Sequence, residues 1–561
     1  MSSSGRFPVV LLWHMHQPQY RDALSGQYVL PWTYLHAIKD YVDMAAHLEA
    51  HPAARAVVNF TPVLIEQLQE LATRIAAHLS HGEALPDPIL TLLSETPLPV
   101  AAEARFELLQ SCLRAEPTHL IGRYPAYARL AARAAELAAL NPVGIIEDQF
   151  LRDVAVWYHL AWLGETVKRG NAQVAMLMAQ EQDFTAAQRR TLLGLIGGLI
   201  AGVLPRYRAL SEAGRVELAM SPYSHPILPL LYDFATAREA SPDAPLPHVA
   251  RYPGGAERAI WQMREGLRVF RDAFGVTPAG CWPSEGAIST AAVELIEASG
   301  FRWLASSATV LRGCLAGQSL PVEPTRPYRL PGKQLSCFFR DDGLSDLIGF
   351  TYSKWHGDQA VANLVGELEA IARHEQGKDG RLALIAMDGE NAWEHFPFNG
   401  YYFLNALYAV LADHPTLELT TLSAVLDRDP PAATLPHVVA GSWVHGTLST
   451  WIGSHDKNVG WDLLVQAKEA VDRVLATRAL DAPARARVAR QLALCESSDW
   501  FWWFGDYNPA KAVHEFDLLY RHQLTSLYRM LELPIPPQLS VPISQGRGTP
   551  EGGGVMRRAN Q

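Results

Sequence analysis

Four short apolar runs, each followed at once by a polar loop crowded with chemically able side chains, constrain this chain more than any other feature. Residues 8–12 lead into His14-Met15-His16-Gln17-Pro18, and residues 216–220 into Ser221-Pro222-Tyr223-Ser224-His225-Pro226. Residues 279–282 lead into Pro283-Ser284-Glu285-Gly286, and residues 382–387 into Asp388-Gly389-Glu390-Asn391-Ala392-Trp393-Glu394. Helix-period patterns lie between them. Ser289 is placed to cap a helix through Ala298, Gly300 stands just past its end, and residues 301–306 read as the next strand. Strands alternating with helices predict an α/β fold with a mostly parallel sheet. Loaded loops after the strands fit a barrel whose chemistry collects at one face.

At 561 residues the chain suits a large catalytic domain with at least one further module. The barrel is expected over residues 1–430. An Ala- and Leu-rich helical insertion about residues 65–140 interrupts it, including a helical stretch from Tyr127 to Leu140. Residues 431–535 read as a C-terminal helical bundle, with helix-period Leu463, Ala467, Ala470, Val471 and Val474. Residues 536–561, with Gly546, Gly548 and the 552–554 glycine run, read as a disordered tail.

A formal charge of −10 with no Lys or Arg run argues against a nucleic-acid partner. The five cysteines are scattered and form no CxxC pair, which argues against a disulfide framework and a cysteine zinc site. The apolar run at residues 9–13 is too short for a secretory core and is broken by His14 and His16, so a cytoplasmic protein is expected. No membrane span is expected either, since no run approaches the roughly 20 apolar residues one needs.

Glycosidic bond cleavage needs two carboxyl groups flanking one bond, one to protonate the leaving oxygen and one to attack or activate water. Glu285 and Asp388 meet that need, because each follows a strand-like run and is hemmed by Trp, Pro or Gly. Gly286 and Gly389 would let a substrate approach the backbone. Singly, Glu285 as a helix cap and Asp388 as a turn residue are the blander readings; their matching contexts favour the pair. Glu390 and Glu394 compete for the acid role, and Asp388 is preferred as nearest the rigid strand end. Mutual repulsion is expected to keep Asp388 protonated beside an ionised Glu285.

The His14/His16 pair admits three readings. With His225 and Asp388 it could hold a catalytic metal, as in a metal-dependent deacetylase; it could hydrogen-bond sugar hydroxyls; or it could simply pack. Gln17, a good hydroxyl partner and a poor zinc ligand, favours sugar. Fifteen tryptophans include clusters at 157/162, 443/451 and 500/502/503. Pyranose faces stack on aromatic planes, although any single Trp is more often a core filler. In an extended 499–505 segment, alternate rings would face a pocket.

Together these motifs closely resemble glycoside hydrolase family 57, especially its amylopullulanase-like and α-amylase-like members. The matching stretches run in order: WHMHQP at 13–18; Glu217 through SPYSHPILP at 221–229; CWPSEG at 281–286; MDGENAWE at 387–394; Gly441-Ser442-Trp443 through Ser449-Thr450-Trp451-Ile452-Gly453; and SDWFWW at 498–503. The resemblance covers roughly residues 8–530. It implies an incomplete (β/α)7 barrel, with the C-terminal helical region contributing to the cleft, and retaining double displacement without a metal or other cofactor. It also implies Glu285 as nucleophile, Asp388 as acid/base, and carboxyls about 5–5.5 Å apart. Substrate binding is expected from His14, His16, Gln17, His225, Trp282, Glu390, Trp393, Trp443, Trp451, Asp499, Trp500 and Trp503. The implied partner is an α-glucan such as starch, glycogen, maltodextrin or pullulan. Hydrolysis leads. A 4-α-glucanotransferase or branching activity through the same intermediate is the alternative, ahead of a metal-dependent carbohydrate deacetylase.

Overall fold

The computed structural model describes residues 5–139, 146–548 and 556–557. Its ten strands are β1 (Phe7–Met15), β2 (Ala56–Phe60), β3 (Val216–Met220), β4 (Gly280–Cys281), β5 (Trp303–Ser307), β6 (Tyr328–Arg329), β7 (Ser336–Arg340), β8 (Ala383–Asp388), β9 (Leu417–Leu419) and β10 (Ala433–Thr434). They form one sheet in the order β10-β6-β7-β5-β4-β3-β2-β1-β8, with β9 also on β1. Every pairing is parallel except β6 with β7.

Seven parallel strands (β1, β2, β3, β4, β5, β7 and β8) curl into the expected incomplete (β/α)7 barrel. Between β7 and β8 there is no ladder among the described residues. The Asp341 N–H donates to the Leu384 carbonyl at 2.7 Å instead, and the Arg340 guanidinium donates to the Ala386 carbonyl at 2.8 Å.

The two-residue pleat sorts the side chains. Val10, Leu12, Val57, Ala219, Trp303, Ala305, Phe338, Leu384 and Ala386 meet in one buried cluster inside the barrel. Val9, Leu11, Trp13, Val58 and Ile385 belong to a second cluster with the surrounding helices. Continuing the inward parity past Leu12 and Ala386 reaches His14 and Asp388, which pair in register on neighbouring strands. The barrel therefore carries its polar groups at the strands' C-terminal mouth, above an apolar plug.

Local signals around Glu285 hold: Ser289 caps the helix Thr290–Ala298 through the Ala292 N–H, and Gly300 takes a positive φ of 90°. The inserted helices are more extensive than expected. They fill the chain between β2 and β3, from Pro62 to Glu212, rather than residues 65–140 alone. The Tyr127 stretch is part of the helix Pro125–Ala139, and Leu140 lies outside the described residues.

One helix, Ala186–Glu212, is long and apolar enough to cross a membrane by length and composition, contrary to expectation. Here it packs on the helix Pro62–His81, burying Leu192, Leu193, Ile196, Ile200 and Val203.

C-terminal helices run over His455–Thr477, Ala482–Cys495, Ser498–Trp503 and Ala510–Met530. The expected disordered tail is partly ordered. Leu539 and Ser544 are buried, and the Ile543 and Ser544 N–H groups donate to Asp517, which supplies acceptors that a composition count does not register. Residues 549–555 and 558–561 lie outside the described residues.

The barrel's narrowest fit is at Gly280, where a Cβ would fall 1.8 Å from the Trp303 ring. Overpacking of this kind costs about 1–3 kcal/mol. Gly280→Ala is expected to lose about that much in urea titration; a loss below about 0.5 kcal/mol would contradict the packing account.

Candidate functional site

Glu285 is held on a strained elbow. After the two-residue strand β4, the turn Ser284–Gly286 puts Glu285 at φ 58°, ψ 24°, a left-handed conformation that is uncommon for a non-glycine residue. Trp443 grips the residue twice. Its backbone N–H donates to the Glu285 carbonyl at 3.1 Å, and its indole N–H donates to Oε2 at 2.9 Å. The Arg340 guanidinium, at the end of β7, lies 4.6 Å over the Trp443 ring.

Asp388 ends β8 and accepts a 2.8 Å hydrogen bond from the Asn391 amide. Both carboxyls line one cavity of ≈ 270 Å³ at the barrel mouth, together with His14, His16, Gln17, Glu390, Trp443, Asp499 and Trp503.

Burial pushes both acids up. For Glu285 the second cause is the Asp388 charge, and its pKa reaches about 8 against the lowering effect of the Trp443 N–H. Asp388 reaches only about 6, because Asn391, His16 and Arg340 favour its charged form. The Asp388 charge thus disfavours simultaneous ionisation of Glu285, and the two acids titrate as a pair. Asp388 has three compensating neighbours, whereas Glu285 relies chiefly on one indole N–H.

Three histidine rings stack at the floor of the site: His14 on His225 at 5.1 Å, and His16 on His225 at 3.9 Å. Each Nδ1 is held: that of His14 by Asn59 at 2.6 Å, that of His16 by Thr61 at 3.0 Å and that of His225 by Ser498 at 3.0 Å. His16 Nε2 meets Asp499 at 2.9 Å. The Nε2 atoms of His14 and His225 are buried without a protein partner. Burial and like neighbours hold His14 down to about 3 and His225 well below its ordinary value, so both rings are neutral near pH 7. His225 also has a positive φ of 63° and sits with Nδ1 3.9 Å from Glu285. Ligand atoms of His16, His225 and Asp499 lie within 4.8 Å of one another, a donor set that a divalent cation could use.

Glu390 is buried behind this floor. Its Oε1 accepts from the His16 N–H, the Gln17 amide and the Tyr41 hydroxyl, each at 3.1 Å, and burial drives its pKa well up.

Not every predicted residue meets the cavity. Trp282, fully buried inside the barrel, packs edge-on against Trp443 at 5.0 Å and lies beneath the site. Trp393 turns its indole N–H to the Gly389 carbonyl and packs on Trp13. Trp451 packs against Trp502, and Trp500 donates to the Leu494 carbonyl. These four rings are core rather than lining. The 499–505 segment is helical through Trp503, so the extended-strand parity argument for its rings does not apply. Gly389 makes room for the Met15 sulfur, 2.3 Å from where its Cβ would be, rather than for a substrate.

Several lining residues escaped the sequence reading: Trp32, Arg114, Arg340 and Phe350; Trp502, from the clustered tryptophans, and Asn391, from the loop after Asp388, line the cavity too. Arg340 closes the apolar run 336–340, and its inward parity after Phe338 could have revealed it. Arg557, from the expected tail, also lines the cavity and stacks 4.4 Å over Trp502.

The overall fold is similar to that of the GH57 branching enzyme TK1436 from Thermococcus kodakaraensis, with TM-score 0.60 at 16% identity over 94% of this chain and 90% of that one. The GH57-type branching enzyme from Pyrococcus horikoshii gives 0.59 at 16% identity, covering 94% and 89%. The α-amylase AmyC from Thermotoga maritima gives 0.56 at 14% identity, covering 94% of each. A sequence comparison with curated proteins gives no match. Residues 10–437, more than half of the chain and including both strand-end carboxyls, match the profile of Glycosyl hydrolase family 57. The chain belongs to that family.

Proposed function

We propose that the protein cleaves α-glucosidic bonds of α-glucans with retention of configuration, through a glycosyl-enzyme on Glu285, and that water is its principal acceptor. The observation that carries this reading is one cavity lined by two carboxyls from separate strand ends, each raised in pKa, with the Asp388 charge acting on Glu285. Protonated Asp388 gives its proton to the glycosidic oxygen as a Glu285 oxygen attacks the anomeric carbon and the leaving sugar departs. Asp388, now ionised, takes a proton from water, whose oxygen displaces Glu285 and restores both acids. Positive charge developing at the anomeric carbon favours ionised Glu285. The neutral, partnerless Nε2 of His14, which lines the cavity, suits an uncharged hydroxyl.

A second reading, transfer to a sugar hydroxyl, is favoured by the aromatic lining. Trp32, Trp443 and the adjacent Trp502 and Trp503 come from three parts of the chain and offer stacking for an acceptor chain. The resemblance to GH57 branching enzymes leans the same way.

Product analysis on starch, pullulan and maltoheptaose separates these outcomes. Shorter α-anomeric products are expected, with activity insensitive to chelator and lowered about 10⁴-fold by Glu285→Ala. Predominantly longer or branched products would favour transfer, and chelator-sensitive release of acetate would support the deacetylase instead.

The acid pair also sets the pH profile. One shared proton is held between about 6 and about 8. Below that window a second proton removes the nucleophile; above it no acid is left. A bell-shaped kcat/KM with limbs near those values is expected. Trp443→Phe removes the donor that favours ionised Glu285, so the alkaline limb should move to higher pH. A limb unchanged in the variant would contradict the assignment.

A further inference from the structure

Fifteen tryptophans are present, and all but one are buried or partly buried; Trp355 alone is exposed, at 42%. An indole left in water forgoes the burial free energy that its fourteen counterparts gain. Its position is informative. The chain leaving β7 forms the short helix Asp342–Asp346 and a tight turn over Leu347–Thr351, and Ser345, Asp346, Gly349 and Phe350 line the catalytic cavity. Trp355 follows five residues after Phe350, where the same segment has left the rim and become exposed.

The ring has a firm seat. Tyr352 is buried, donates its hydroxyl to Asn363 at 2.8 Å and packs on Phe403, while Trp355 meets it edge-to-face at 5.4 Å. The Trp355 backbone N–H donates to the Tyr352 carbonyl at 3.0 Å, which fixes the main chain beneath the ring. Beside it in the chain, Lys354, His356 and Asp358 are exposed and polar, and Tyr402, 51% exposed, packs beside Gly357. An exposed aromatic plane with polar residues along the same segment suits a pyranose, apolar on its face and polar on its rim.

We propose that Trp355 is an outlying glucan-binding subsite, on which a sugar of a long chain stacks after that chain has left the cavity past Phe350. Five residues of chain span at most about 18 Å, so the platform lies within a few sugar units of Phe350. The inference rests on the α-glucan reading above and adds a chain-length preference to it. Substrates too short to leave the cavity gain nothing from Trp355, and long ones gain one stacking contact.

The test is native electrophoresis through glycogen-containing gels, paired with kinetics on glycogen and on maltotetraose. Trp355→Ala is expected to lose most of the wild-type retardation and to raise KM for glycogen about five- to tenfold, with kcat/KM on maltotetraose within about twofold. Trp355→Phe should recover part of the retardation, and light scattering should give the same mass for both proteins. Equal retardation of wild type and Trp355→Ala would overturn the proposal. A mass that falls in the variant while glycogen retardation persists would also overturn it, assigning the ring to a contact between copies. A wild type inactive on every α-glucan would remove the functional reading, and this subsite with it.

Discussion

The register between β1 and β8 is the constraint from which the rest of the site follows. His14 and Asp388 are paired neighbours, and the pleat that packs Val10, Leu12, Leu384 and Ala386 inside the barrel turns both of them inward at its mouth. A one-residue slip in either strand would exchange its inward and outward sets, sending the polar group into the helix layer and an apolar one into the cleft. The packed interior thus places the chemistry. Below the mouth the barrel is dry and filled; at the mouth, Asn59 on β2 braces His14 from the other side, in register as well.

The electrostatics follow from that placement. Burial raises the acids and lowers the histidines, so a crowd of ionisable groups carries little net charge around pH 7. Uncharged rings and proton-sharing carboxyls suit a neutral, hydroxyl-rich ligand. The C-terminal helices take part directly, with Asp499 meeting His16 and the Ser498 N–H donating to the His225 carbonyl. The positive φ at both Glu285 and His225 marks two backbone positions held against preference, each fixed by a residue from the second half of the chain: Trp443 and Ser498.

Much of this was legible because strand-end chemistry has a local signature. An apolar run that stops at a polar loop singled out Glu285, Asp388, His14, His16 and His225; β3, β4 and β8 came out within a residue of their positions, while β1 runs three residues further and takes His14 into the strand. What failed was inference by proximity. Trp282 and Trp393 flank the acids in sequence, yet one fills the barrel below and the other packs behind the loop, because adjacency does not say which way a ring points. Trp500 and Trp451 were misread for the same reason. Asn59 belongs to a five-residue strand with no motif around it, so only the assembled register brings it to the site. The tail looked unstructured from composition, but backbone amides donating to Asp517 and the burial of Leu539 in the core hold part of it in place.

The account stands on Glu285 forming a covalent bond to the sugar. Incubation with a 5-fluoro-α-glucosyl fluoride, which slows the second displacement more than the first, followed by peptide mapping by mass spectrometry, tests this directly. One fluoroglucosyl unit on the peptide containing Glu285 is expected, absent in Glu285→Ala. Active enzyme that carries no label and releases a product of inverted configuration, or a label mapped to another carboxylate, would contradict it.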